Sequence, residues 1–181
     1  MTSKRIGLLA LCFLFPLIAG FAEIQKGAVV LDVKRLSTSK STDTRWQTCA
    51  GFSNKDHYRS IEVEIKMNNM LRDDLPLKVE WYFISRSLND GHQSIFDSGS
   101  KDMVCKAGTQ EIFSVESAEL KSTVVTWGTC GYGGVRKDKS GAKIDGYIVR
   151  VLYGSNVLNV AASSKPLEKR GYRDTVSVFG K

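Results

Sequence analysis

The sequence predicts an all-β protein, an antiparallel β-sandwich of seven or eight strands. Ile61, Val63, Ile65 and Met67 occupy every second position, with Glu62, Glu64, Lys66 and Asn68 between them. A strand with one buried and one wet face has this pattern, and it belongs to antiparallel sheets. Leu77, Val79, Trp81 and Phe83 repeat it against Lys78, Glu80, Tyr82 and Ile84. Ile144 to Ala162 reads as two strands joined at Gly154-Ser155-Asn156, because Gly and Asn tolerate the backbone of a hairpin turn. No segment shows sustained helical spacing. Strand count alone leaves an up-and-down barrel as the alternative.

Residues 1–22 read as a secretory signal peptide: Lys4 and Arg5 precede an apolar run from Ile6 to Ile18, followed by Gly20-Phe21-Ala22. The run is shorter than the ~17–25 residues of a spanning helix, so no membrane span is expected after cleavage. Export to the periplasm or the cell surface follows. Removing the leader lowers the formal net charge of +7 by two. The remaining excess suits solubility or an anionic partner, and basic residues scattered among acids argue against nucleic acid.

The first strand is expected over Ala28–Leu36 and a polar loop over Ser37–Asp43. Trp46–Phe52 leads into a turn-prone Ser53-Asn54-Lys55-Asp56. The two alternating strands follow, separated by a turn at Asn69–Asp74. Asn89-Asp90-Gly91 is a strong turn signal, with a short strand near Ser94–Asp97 and a break at Ser98–Lys101. Ile112–Val115 and Val124–Trp127 supply further strands. Gly131 to Gly141, rich in glycine and charge, reads as a long mobile loop. The hairpin closes a domain spanning residues 23–165, and residues 166–181, beginning at Pro166, form a polar tail.

Cys49, Cys105 and Cys130 remain after cleavage. Cys49 and Cys130 share a Trp-x-Thr-Cys context, which favours a Cys49–Cys130 bridge in an oxidising compartment. Such a bridge is worth ~4 kcal/mol in the chain-entropy account. Cys49–Cys105 and Cys105–Cys130 are the other pairings, and three reduced thiols the remaining option.

No chemistry-bearing constellation stands out. Neither the flanks of Cys105 nor those of His57 and His92 fit a nucleophile motif. Two histidines and three separated cysteines lack zinc spacing, and Lys137, Lys139 and Lys143 oppose a cation at Asp138 and Asp145. Catalytic residues, cofactor and metal are therefore not expected. A binding surface is the remaining candidate: Trp46, Trp127 and Tyr132 beside Arg136 and Lys137 could stack on sugar rings or anchor a protein. The alternative is that the two tryptophans pack over the bridge as a minor core.

Trp81, in mid-strand, and Asp145-Gly146-Tyr147-Ile148-Val149 carry a resemblance to immunoglobulin-like domains. Those domains bury a tryptophan between sheets and use a tyrosine that folds back onto backbone at a corner. The resemblance covers roughly Gly27 to Ser163. Val149 stands where antibody domains carry a cysteine and Ile61–Met67 has none, so the antibody-type core disulfide is absent. The chain is thus similar to fibronectin-like and bacterial-envelope members, including those of pili and surface assemblies. The resemblance implies an exported, non-enzymatic binding or assembly module with an envelope protein or glycan as partner. A carbohydrate-binding or glycan-processing domain is the second expectation, and a subunit completing its sheet with a partner's strand the third.

Overall fold

The computed structural model describes residues 27–38, 40–47, 52–128 and 135–172, with the side chains of 45–47 and 52 left aside. The leader over 1–22, Cys49, Cys130, Tyr132 and residues 173–181 lie outside the described residues, and with them the Cys49–Cys130 bridge.

Ten strands and one short helix are described: β1 (Val29–Ser37), β2 (Lys40–Gln47), β3 (Phe52–Arg59), β4 (Glu62–Asn69), β5 (Leu75–Ser87), β6 (Gln93–Cys105), β7 (Gln110–Glu116), β8 (Leu120–Trp127), β9 (Arg136–Tyr153), β10 (Asn156–Ala162) and α1 (Lys165–Gly171). All pairings are antiparallel. One sheet has the order β1-β4-β7; the other runs β2-β3-β8-β9-β5-β6, with β10 also on β9. The fold is an all-β sandwich.

The alternating segments build its core. Val63, Ile65 and Met67 of β4 are fully buried, and so are Val79 and Phe83 of β5 and Val149 and Val151 of β9. They form one apolar layer between the sheets. At ~25 cal/mol per Å² of apolar surface, this layer is the main driving force for the sandwich. Trp81 meets Phe113 of β7 edge-on, ring centroids 6.5 Å apart, so its indole bridges the layers. Gly99 lies opposite Trp81 in the β5/β6 ladder, and a Cβ there would fall 2.5 Å from the indole ring. The tryptophan therefore covers the one position where its neighbour has no side chain. Tyr147 donates its hydroxyl to the carbonyl of Val33 at 3.2 Å. It does bond backbone, but in β1 of the facing sheet rather than at a local corner.

A second, smaller core lies on the outer side of the large sheet, where Ile84, Ile148 and Val160 pack under Leu167 of α1. Pro166 occupies the first turn of this helix, a place where its missing N–H costs nothing. The segment read as the start of a tail thus opens with a docked helical turn. Seven residues are too few for a periodic signal, so spacing gave no hint of it.

Two bulges frame Ile84. Asp145 of β9 falls between the pairs Ser85↔Ile144 and Ile84↔Gly146, and Phe96 of β6 between Phe83↔Asp97 and Ile84↔Ile95. Here β9 changes company. Its last residues pair with β5 and β10, whereas residues 136–141 pair with β8.

Strands β2, β3 and β8 with the start of β9 make a four-stranded wing, and among the described side chains neither hydrophobic core includes one of β2, β3 or β8. Three sequence expectations are corrected here. The Ser37–Asp43 loop is largely β2, the turn at Ser53–Asp56 is β3, and residues 136–141 of the glycine-rich loop are strand. Ser98–Lys101 likewise continues β6. Few apolar side chains fall in these segments, so their charged, polar and glycine residues carry no apolar period to read.

Candidate binding surface

The wing's ladders place the residues singled out from sequence at its far end. Phe52 pairs with Trp127 and Gln47, and Trp127 with Arg136, giving one cross-strand row. The next row is Trp46, Ser53, Thr126 and Lys137. Successive rows of a pleated sheet belong to opposite faces. The positions of Trp127 and Arg136 therefore share one face, and those of Trp46 and Lys137 share the other. Tyr132 lies outside the described residues.

The Trp127 face neutralises itself. The Trp127 indole Nε1–H donates to Asp138 Oδ2 at 3.2 Å, and Arg136 Nε lies 3.1 Å from Asp138 Oδ1. One carboxylate thus orients both an aromatic and a guanidinium. Farther along, Lys121 Nζ is 2.8 Å from Asp56 Oδ2, and Thr123 donates to Asp56 Oδ1 at 2.7 Å. The Asp56 hydrogen bond raises the Lys121 pKa. Trp127 remains 46% exposed, so its ring is available to a ligand while its N–H is held.

Asp138 and Asp145, weighed as cation ligands, have their charges occupied. Asp145 accepts from Arg86 Nε at 2.9 Å and Nη2 at 3.0 Å, and also from Gln93 Nε2. Gln93 in turn accepts from Arg170 at 3.0 Å, tying the β9 bulge to β5, β6 and α1. The Arg86 fork holds the Asp145 carboxyl below its ordinary value against the upward push of burial. Among the described residues no cluster of His, Cys, Asp or Glu could hold a metal ion.

On the outer side of the large sheet, Glu80 and Arg150 face each other across the β5/β9 ladder, with Arg150 Nε 3.3 Å from Glu80 Oε2. Burial pushes Glu80 up, but bonds from Lys78 and Tyr82 and the Arg150 charge outweigh it, leaving its pKa lowered. Burial and the same Glu80 bond push the Tyr82 phenol up to about 12. Glu80 is thus the shared partner of Lys78, Tyr82 and Arg150 in a structural cluster.

Cys105 is a free, fully buried thiol at the end of β6. Burial pushes its pKa up, with Glu111 adding to the effect, the reverse of an activated nucleophile. His57 sits on the wing against the Thr42 hydroxyl at 3.2 Å, and His92 follows the turn after β5. The three lie apart, in β6, in β3 and in the β5–β6 connection.

No protein family and no curated protein matches the chain. Solved structures resemble it distantly. The Northeast Structural Genomics Consortium target SoR45 is 13% identical with a TM-score of 0.30, over 65% of this chain and 86% of that one. A protein from Akkermansia muciniphila is 11% identical with a TM-score of 0.27, over 85% and 81%. Bacteroides uniformis beta-glucuronidase 2 is 17% identical with a TM-score of 0.26, over 70% of this chain but 15% of the enzyme. Likenesses this distant bear on neither activity nor partner.

Proposed function

We propose that the chain is an exported, non-enzymatic binding or assembly module of the cell envelope, built on an immunoglobulin-like sandwich, that recognises a protein or glycan. The observation that supports this most is the wing. Among the described side chains, strands β2, β3 and β8 of this four-stranded sheet give none to either core, so its ordering costs backbone entropy with little apolar packing in return, which makes sense where a partner covers it. Trp81 between the layers supports the immunoglobulin-like assignment. The exposed, oriented indole of Trp127 beside Arg136 favours a glycan, and it equally serves the second reading, a carbohydrate-binding or glycan-processing domain.

A glycan array, a pull-down from envelope extract and a broad hydrolase screen on the same preparation test the reading. Retention of a glycan or protein without turnover is expected. Turnover of a glycan would select the second reading, and retention of nothing under mild washing would remove the first.

A further inference from the structure

The wing's other face has a charge pattern that the linear sequence conceals. Its rows are Lys40–Arg59–Leu120, Thr42–His57–Ser122–Gly141, Thr44–Lys55–Val124–Lys139 and Trp46–Ser53–Thr126–Lys137. None of these positions is acidic. The intervening rows hold Asp43, Asp56 and Asp138 with Arg45, Lys121 and Arg136, so every acid of the wing's strands lies on the other face. Lys40, Lys55, Lys137 and Lys139 are exposed and make no ion pair among the described residues. Lys143 continues the line along β9 and is exposed too. On the same side of β9, Asp145 is already engaged by Arg86 and Gln93.

We infer that this face binds a linear acidic polysaccharide, a chain bearing carboxylates or sulfates among its hydroxyls. The inference rests on the binding-module reading above and specifies its partner. Uncompensated like charges on one sheet face are repulsive at rest, and an anionic polymer relieves that repulsion while releasing its counterions. Lys137 and Lys139 stand about 7 Å apart along β9, and Lys55 and Lys139 about 10 Å apart across it, a spread suited to successive charged sugars. Hydroxyls of Thr44, Ser122 and Thr126 lie between the cations and match sugar hydroxyls. Other polyanions fit less well. Trp46 and His57 are the only aromatic positions in these rows for base stacking. Among the described side chains of these rows, no exposed large hydrophobic residue is present to enter a lipid layer.

Binding of the full chain to polygalacturonate, dextran sulfate, neutral dextran, phosphatidylglycerol vesicles and duplex DNA tests the inference. The expected result is salt-sensitive binding to the two acidic polysaccharides and none to dextran. The triple variant Lys55→Gln, Lys137→Gln, Lys139→Gln should lose affinity on the order of tenfold or more. A control with the same net charge, Lys34→Gln, Lys106→Gln, Lys165→Gln, should lose much less. Should the first variant fail to fold by circular dichroism, Lys137→Gln and Lys139→Gln are measured singly, each expected to weaken binding and its salt dependence. Equal losses in both triples would overturn the inference, as would stronger binding to vesicles or DNA than to polysaccharide, or no binding by folded wild type. None of these touches the module reading where an envelope protein is still retained. Release of reducing ends from polygalacturonate would instead sink the non-enzymatic reading and leave the cationic face in place.

Discussion

Lys121 Nζ lies 2.8 Å from Asp56 Oδ2, on the face of the wing where Arg136 also meets Asp138. Lys55 and His57 flank Asp56 in sequence yet belong to the opposite face, where no acid answers them. The strand period alone separates the two environments: one face of β3 closes its charges internally and the other leaves them to solvent. Adjacent residues of one strand thus have opposite electrostatic roles.

A sheet outside both cores should open more readily than the sandwich. Amides of β3 and β8 are expected to exchange with solvent well before those of β4, β5 and the second half of β9, which are backed by fully buried Val63, Phe83 and Val149. Hydrogen exchange followed by mass spectrometry reads this directly. Protection of β3 equal to that of β4 would mean that the wing is stabilised as strongly as the core.

Asp145 makes stability fall in acid. Its folded pKa is depressed by the Arg86 hydrogen bonds, so its contribution is complete above the ordinary aspartate value, near pH 4, and is lost as pH falls through the lower folded value. Urea midpoints measured from neutral pH downward should decline in that range for wild type. In Asp145→Asn the neutral-pH midpoint should already be lower and that part of the decline absent. An unchanged acid slope in the variant would assign the pH dependence elsewhere.

Gly99→Val tests the seat of Trp81. A Cβ at position 99 meets the indole at 2.5 Å, so the ring must leave its contact with Phe113. A loss of about 1–3 kcal/mol is expected from overpacking. A shift in tryptophan emission should accompany it, and a variant as stable as wild type would place the ring elsewhere.

Much of this fold could be read from residues, because burial writes itself as period two. β4 and most of β5 hide one face, and the β9/β10 hairpin, buried on both sides of β9 over Gly146–Leu152, was legible from its β-branched density and its Gly154-Ser155-Asn156 turn. Strands β2, β3 and the start of β9 were not, since an alternation of Lys55, His57 and Arg59 with Asp56 and Tyr58 hides nothing apolar. The same blindness covered the cationic face. Read in a line, Lys137, Asp138 and Lys139 look like mixed charge; read as a strand, they separate. The signal was present in the alternation of Lys137 and Lys139 with Arg136 and Asp138, and it needed the strand assignment to be seen. Trp127 and Arg136 were placed together from sequence, and the ladder makes them neighbours, whereas the Trp46 and Lys137 positions belong to the reverse face.

Cys105 should resist modification. Its thiol is fully buried and its pKa raised by burial, so thiolate is scarce at neutral pH. Labelling by an aromatic disulfide reagent is expected to be slow in the native protein and fast in denaturant. Rapid native labelling of Cys105, located by peptide mapping, would contradict the buried placement.

The separation of charge between the two faces of the wing is tested most directly by nuclear magnetic resonance with a short polygalacturonate oligosaccharide. Shift changes should concentrate on Lys55, Lys137 and Lys139 and spare Lys121 and the sandwich. Changes centred on Lys121 and Arg136, or spread evenly over the molecule, would contradict it.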